Sequence, residues 1–333
     1  MEKPPLVSLL VPMRNEAQYI RGCLESIFRQ TYPFIEVLVF DGLSTDDSYK
    51  IVETLFAARP NCQLYSNEKI IQAAAWNQGI QLSKGEILGI VSAHAELAPD
   101  YVEELVETLF RTQADLVGGP TFSDSKGFTA ETIAQALNSP FGVGNARFHY
   151  TTKEIEVDTV FMGACWRRVY EKIGGFDEGM VRNQDDELSY RLLKHGGRII
   201  CNPAIRSRYH SRPDLMSLWR QYYQYGLWKV RVLQKHPRQI RIRQFVPVVF
   251  VTALILSSIF AASFPFAGIS LYLLICCYFL ANIAASARIA LTRGWKYFAL
   301  LPAVFAVMHF SYGFGFLAGF VRFAGLWRTK PSV

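Results

Sequence analysis

The 333-residue chain has no acidic residue after Asp214. Its six cysteines (Cys23, Cys62, Cys165, Cys201, Cys276 and Cys277) form no CxxC pair and show no zinc spacing. A disulfide-stapled secreted domain and a zinc-ribbon module are thereby set aside, and the thiols suit a reducing compartment. Met1-Glu2-Lys3-Pro4-Pro5 lacks the design of a signal peptide, so the front of the chain is expected to stay in the cytoplasm. Positive charge is scarce where a nucleic-acid binder would need it. Residues 1–205 hold 19 Lys/Arg against 27 Asp/Glu, a net of −8. Residues 206–243 hold 10 Lys/Arg against the single acid Asp214, a net of +9. A nucleic-acid binder spreads its basic residues over the folded domain. Here they crowd ahead of a hydrophobic run, which suits the anionic inner face of a membrane. Membrane lipids are therefore an expected partner and nucleic acid is not.

Short apolar runs alternate with segments of helical spacing. Residues 6–12, 36–40, 63–65, 86–91 and 116–119 read as buried strands. Residues 16–30, 46–58, 72–82 and 99–110 read as helices. Such alternation predicts a mostly parallel, Rossmann-like sheet in a three-layer α/β domain. Ligands then sit at the carboxyl ends of the strands, where Arg14-Asn15-Glu16, Asp41 and His94 fall. Residues 121–158 are rich in Gly, Ser, Thr and Asn and suit either a mobile loop over the site or a plain surface insertion.

Three long apolar runs follow, at 245–264, 268–287 and 298–320. Each approaches the length needed to cross a bilayer. Arg293-Gly294-Trp295-Lys296-Tyr297 and Trp327-Arg328 look like interfacial anchors. The positive-inside rule wants both 288–296 and 322–330 on the cytoplasmic side, yet a third full crossing would separate them. A third segment that is re-entrant or broken at Gly313, Gly315 and Gly319 would remove the conflict. The expected organisation is a catalytic domain over 1–212, a basic aromatic interfacial segment over 213–243, and two or three transmembrane helices over 244–325. Ending the chain before about Arg243 is expected to release a soluble domain.

Several acids carry the candidate chemistry. Asp185, Asp186 and Glu187 open a helical segment ended by Gly196-Gly197. Acids in a first turn complement the helix dipole, which accounts equally well for Asp186 and Glu187. Asp185 suits a general base, because a carboxylate fixed at a helix start and facing a cleft is what that role needs. Asp41 ends a strand, and Gly42 after it lets the backbone turn sharply. An Asx-turn with Ser44 and Asp46 is its other reading.

Val11-Pro12-Met13-Arg14-Asn15-Glu16, Phe40-Asp41-Gly42-Leu43-Ser44-Thr45-Asp46, Gly174-Gly175-Phe176-Asp177-Glu178 and Gln184-Asp185-Asp186-Glu187-Leu188 together resemble the motifs of family 2 glycosyltransferases. The likeness extends to the membrane-bound succinoglycan type through His94-Ala95-Glu96 and residues 219–226, and covers about residues 5–230. It implies a GT-A fold and an inverting hexosyltransferase using a nucleotide sugar, UDP-linked, on a polyprenyl-diphosphate-linked saccharide in exopolysaccharide assembly. The implied location is the inner (plasma) membrane, multi-pass, with a cytoplasmic catalytic domain. A polyprenyl-phosphate glycosyltransferase and a catalytically weak nucleotide-sugar-binding module are the alternatives. The resemblance gives Asp185 the role of base and Asp41 a contact to uracil. Pro12, Arg14, Glu16, Asn77, Ser92 and Ala93 are implied to line the nucleotide. For Glu16 a helix-dipole role, and for Arg14 a surface ion pair, fit as well. Gly163, Ala164, Asp186 and Gln221 are implied around sugar and acceptor, with Gly163 kept small so that the sugar pocket stays open. Ser92-Ala93-His94 falls where the family carries Asp-x-Asp or Asp-x-His, so the first acid is missing. His94 and His210 are the implied metal ligands, for Mn²⁺ in preference to Mg²⁺. A polar loop histidine is the other reading of His210. Arg206, Arg208 and Arg212 offer the leaving diphosphate a metal-free alternative.

Overall fold

A computed structural model describes residues 3–120, 122–124, 127–144, 146–210, 214–238 and 241–327, without the side chains of 122–124, 210 and 327. The His210 and Trp327 side chains, Arg212 and Arg328 therefore lie outside the described residues.

The chain begins with strand β1 (Val7–Met13), helix α1 (Ile20–Phe28), β2 (Ile35–Asp41), α2 (Ser48–Phe56), β3 (Cys62–Ser66) and α3 (Gln72–Leu82). Strands β4 (Ile87–Ile90) and β5 (Ala95–Leu97) precede α4 (Tyr101–Thr112), β6 (Leu116–Gly119) and β7 (Phe122–Asp124). Then come α5 (Phe128–Leu137), α6 (Pro140–Val143), β8 (Ile155–Glu156), β9 (Phe161–Trp166), α7 (Arg167–Ile173) and α8 (Gln184–Lys194). Strands β10 (Ile199–Cys201) and β11 (Ser207–His210) lead into α9 (Leu215–Lys235), α10 (Ile242–Phe260), α11 (Pro265–Arg293) and α12 (Leu301–Arg322).

Two compact units result, and they do not divide the sequence at one point. The first holds Met1–Ser123 and Arg147–His210, the second Asp124–Ala146 and Ser211–Val333.

In the first unit an eight-stranded sheet runs β3-β2-β1-β4-β9-β6-β10-β8. β3, β2, β1 and β4 are mutually parallel, while β9 lies antiparallel between β4 and β6. The continuous apolar character of β1 and β2 follows from burial on both faces. One face carries Ile20, Cys23, Leu24 and Leu105, the other Trp76, Phe176, Leu188 and Leu192. Each such leucine contributes about 1.5–3 kcal/mol by leaving water. The sheet's strand order brings Met13, Asp41 and Ile90 to one carboxyl edge, together with the start of β9.

The second unit is helical. Within 121–158, the described residues 127–144 form α5 and α6 and pack as core, not as a plain surface insertion. Ile133 and Ala136 of α5 are fully buried among Leu218, Leu301, Val304, Phe305 and Met308. Glu131 accepts from Lys296 Nζ (2.9 Å) and from the Tyr297 hydroxyl (3.0 Å). Helices α10, α11 and α12 are each long and apolar enough to cross a membrane. The glycines of α12 do not break it, since it runs unbroken from Leu301 to Arg322. They admit a neighbour instead. A Cβ on Gly315 would sit 2.0 Å from the Tyr223 carbonyl oxygen, and one on Gly226 2.1 Å from that of Tyr312.

Candidate functional site

Two loops at the carboxyl edge are stitched into one frame. Asn15, left-handed at φ 55°, donates its N–H to Ser44 Oγ (2.9 Å), and its side-chain oxygen accepts from the Thr45 N–H (2.8 Å). Asp46 Oδ2 accepts from the Ala17 N–H (3.1 Å), and Ser48 Oγ accepts from that of Glu16 (2.7 Å). Ser48 hydrogen bonds hold the Asp46 carboxyl below its ordinary value. The left-handed turn residue after Asp41 is Leu43 (φ 57°); the sharp turn does not fall at Gly42. The Glu16 carbonyl accepts from the N–H groups of Tyr19 and Ile20 (2.9 Å each), so Glu16 opens the turn that runs into α1.

Asp41 ends β2 with 5 % of its surface exposed. Its Oδ2 accepts from the Ser44 N–H (3.1 Å), closing the turn. Its Oδ1 is buried with no hydrogen-bond partner. Such groups are rare, because an unmet acceptor costs the desolvation it does not recover. Glu36, at the opposite edge, shows the usual outcome. Its Oε1 takes hydrogen bonds from Ser8 Oγ (2.5 Å) and from the N–H groups of Lys84 (2.5 Å) and Gly85 (3.0 Å).

His94 lies beyond β4, one residue before β5. Its Nδ1 stands 3.2 Å from Glu16 Oε1 and its Nε2 3.3 Å from Ser92 Oγ. Tyr209 packs on the imidazole at 5.0 Å between ring centroids and Tyr19 at 6.4 Å. Strands β5 and β11 pair with Tyr209 opposite Ala95, so the next step of the register brings the backbone of residue 210 opposite residue 94. Ala93 is buried, and the Ser92 N–H meets the Met162 sulfur at 3.2 Å. Pro12 is half-buried beside this frame, and Arg14 is exposed. Arg206 is engaged by Asp100 (2.7 Å). Among the described residues no group of three or more His, Cys, Asp or Glu could hold a metal.

The acids that open α8 separate clearly. Glu187 is buried, and both of its oxygens meet the Arg191 guanidinium (2.7 and 2.9 Å). Arg191 also donates to the carbonyls of Ile173 and Gly175. Asp186 is half-buried. Asp185 is exposed, with Oδ1 accepting the Asp186 N–H (2.9 Å). One turn on, Ser189 Oγ is 3.1 Å from Thr159 Oγ1, two residues ahead of β9. That contact ties the first turns of α8 to the edge where Asp41 and His94 lie. Replacing Arg191 with Met leaves the Glu187 carboxylate buried and unpaired. We expect a loss of about 3–5 kcal/mol in stability, read as a lower thermal unfolding temperature in detergent. Unchanged unfolding would remove this ion pair from the account of the loop.

Four of the expected residues are held by contacts within the fold. Asn77 is fixed to the 174–178 loop: its amide donates to the Phe176 carbonyl (2.9 Å) and to Glu178 Oε1 (3.0 Å), and its oxygen accepts the Phe176 N–H (2.7 Å). Gly163 and Ala164 lie inside β9. A Cβ on Gly163 would meet Val160 at 2.7 Å and Leu116 at 2.8 Å, so sheet packing requires its small size. Gln221 belongs to the second unit, where its amide donates to the Tyr225 hydroxyl (2.9 Å). Tyr19, Tyr209 and Met162 at the histidine were not foreseen. The alternation Ser207-Arg208-Tyr209 was the available signal for β11, but its arginines were read for the leaving diphosphate.

A family profile described as glycosyl transferase family 2 matches residues 8–174. The chain is 28 % identical over 326 residues to a Methanococcus voltae protein named dolichyl N-acetyl-alpha-D-glucosaminyl phosphate 3-beta-D-2,3-diacetamido-2,3-dideoxy-beta-D-glucuronosyltransferase, covering 95 % of this chain and 97 % of that one. It is 30 % identical over 250 residues to the succinoglycan biosynthesis protein ExoA of Rhizobium meliloti, covering 72 % and 74 %. Among solved structures it is similar to the mannosyltransferase PcManGT of Pyrobaculum calidifontis in complex with GDP-Man and Mn²⁺. There the TM-score is 0.62 at 20 % identity, over 92 % of this chain and 86 % of that one, a likeness of fold.

Proposed function

The chain belongs to glycosyl transferase family 2, and from that premise we propose that it moves a sugar from a UDP-sugar to a polyprenyl-linked saccharide at the cytoplasmic membrane face. The unpartnered Oδ1 of Asp41 is the observation that carries the donor half. It offers one buried acceptor, since Oδ2 already closes the turn. Uracil presents a single imide N–H between two carbonyls and needs one such acceptor. Guanine presents adjacent N–H and NH₂ donors, which would call on both oxygens. The stitched loops hold that acceptor in place before the ligand arrives, which lowers the ordering cost of binding.

Asp185 is the base in this reading. Its carboxylate takes the proton of the acceptor hydroxyl as that oxygen bonds to the anomeric carbon. The bond from the anomeric carbon to the diphosphate breaks on the opposite face, UDP leaves with the electron pair, and the configuration inverts. Glu187 cannot serve, being buried under Arg191. The acceptor class is supported by the names of the Methanococcus voltae and Rhizobium meliloti relatives, and membrane placement by the three long apolar helices.

Glu16 and His94 fit a divalent cation in part, as an adjacent carboxylate and imidazole beside the strand position of residue 210. Bound there, the cation would supply positive charge against the departing diphosphate. So few protein donors imply that nucleotide oxygens complete the shell. Calorimetry is then expected to show weak Mn²⁺ binding alone and tighter binding with UDP present, with His94→Ala abolishing the gain. Equal Mn²⁺ affinity with and without UDP would refute this assignment. The whole reading is tested by offering nucleotide sugars with lipid extract and measuring released nucleotide. Turnover on lipid phosphate alone would make the enzyme a polyprenyl-phosphate glycosyltransferase. Donor binding without turnover on any acceptor would leave a binding module.

A further inference from the structure

The three apolar helices are alike in length and composition but not in surroundings. The buried residues of α10, Val248 and Val251, lie in its first half, and those of α11, Asn282, Ser286 and Ala290, in its second half. Beyond them Ile255, Leu256, Ile259, Phe260, Phe266, Ile269, Tyr272 and Leu273 are exposed. Two helices joined at 261–264 thus form a hairpin whose buried residues all lie toward its base, where Val246, Leu280 and Leu291 are nevertheless exposed as well. α12 is different, with buried residues from Leu301 to Gly319.

Its contacts show why. α12 meets α10 near that helix's start: Phe316 on Phe245 (5.9 Å), Phe310 on Phe250 (5.6 Å), and Gly313 against Pro247 and Val251. It meets the returning half of α11 through His309 with Tyr278 (3.1 Å) and Pro302 with Asn282 (3.0 Å). A helix of 22 residues, about 33 Å at 1.5 Å per residue, therefore touches only the base of the hairpin. A third crossing would follow its neighbours through their exposed halves. Along its flank α12 instead carries α9, running in the same direction. Gly226 packs at Tyr312, Tyr223 at Gly315, Leu227 at Gly319, and Gln234 donates to the Phe323 carbonyl (2.9 Å). α9 bears an exposed Arg220 and half-buried Arg231 and Lys235, besides Lys229, which is buried within the unit. If α12 crossed the bilayer, α9 would be drawn with it, and charges at that depth are tolerated only when paired or sheltered. In the headgroup plane Arg220, Arg231 and Lys235 meet anionic phosphates, and Trp219 and Trp228 find their preferred level.

We propose that α9 and α12 lie together in the headgroup plane of an anionic lipid surface on the cytoplasmic side, and that the α10–α11 hairpin is the crossing element. The proposal rests on the reading of α10 and α11 as membrane-crossing. It also places 288–296 and Arg322 on one side, as the positive-inside rule requires.

Impermeant maleimide labelling of the full chain in intact and permeabilised cells tests this. The background replaces Cys276 and Cys277 with Ser. The remaining thiols are buried, and burial pushes those of Cys23, Cys165 and Cys201 up to about 12 and that of Cys62 up to about 11, so they stay silent in the folded protein. Ala262→Cys, Thr292→Cys and Gly325→Cys, all at exposed positions, are labelled one at a time. Ala262→Cys is expected to react in intact cells, and Thr292→Cys and Gly325→Cys only after permeabilisation. Reaction of positions 292 and 325 from opposite sides would overturn the proposal in favour of a third crossing. All three positions reacting only after permeabilisation would sink the membrane-crossing reading itself, and the proposal with it. Position 262 inside with 292 and 325 outside would uphold the interfacial pair and overturn the cytoplasmic assignment.

Discussion

Asp185→Asn is expected to lower sugar transfer by about 10²- to 10⁴-fold, the usual contribution of a positioned base. Affinity for UDP should be nearly unchanged, because the residue touches no nucleotide contact in the proposed site. The substitution is also gentle on the fold. Asp185 is exposed, and the amide oxygen of Asn can still accept the Asp186 N–H that Oδ1 now accepts. A loss of turnover with intact binding therefore reports chemistry and not collapse of α8. Turnover within about threefold of the parent, far short of what a base contributes, would remove Asp185 from the mechanism.

Asp41→Ala should act on the other half of the reaction. Losing a charge-assisted hydrogen bond costs about 1.5–3 kcal/mol, or roughly 10- to 150-fold in UDP affinity. Calorimetry with UDP reads this directly, and GDP titrated in parallel checks the base assignment. The turn should survive, since Asn15, Thr45, Asp46 and Ser48 hold the two loops through bonds that do not involve Asp41. Unchanged UDP affinity in a folded variant would reduce Asp41 to the turn residue its Oδ2 already is. Tighter binding of GDP than UDP by the parent would reassign the base while keeping the acceptor role.

The strands of the carboxyl edge were legible because each is a short apolar run buried on both faces, and the polar residues that end them had nowhere else to go. Asp41 was legible as a strand end for the same reason. What could not be read was which member of a polar cluster faces inward. Three consecutive acids open α8, and only the Arg191 guanidinium, four residues on, distinguishes the structural Glu187 from the exposed Asp185. The bonds between Asn77 and Phe176 could not be read either, since nothing in sequence links positions 99 residues apart. Nor does the sequence tell that Val160 and Leu116 press on Gly163. Residues 121–158 defeated periodicity most fully. Their glycines and serines read as loop, while the apolar face of α5 has its partners more than 160 residues later, at Leu301 and Val304.

That late partnership sets how the protein can be cut. A fragment ending before Arg243 keeps α5, α6 and α9 but loses α12, stripping Leu301, Val304, Phe305 and Met308 from around Ile133, Ala136 and Phe141. Such a patch invites self-association, so the simple truncation expected to give a soluble domain should aggregate. The two units are threaded through each other twice in sequence, at 123/124 and 146/147 as well as at 210/211. Dissecting the catalytic half for crystallisation or screening therefore takes an internal excision of 124–146, bridged by a short linker, in addition to removal of everything after His210.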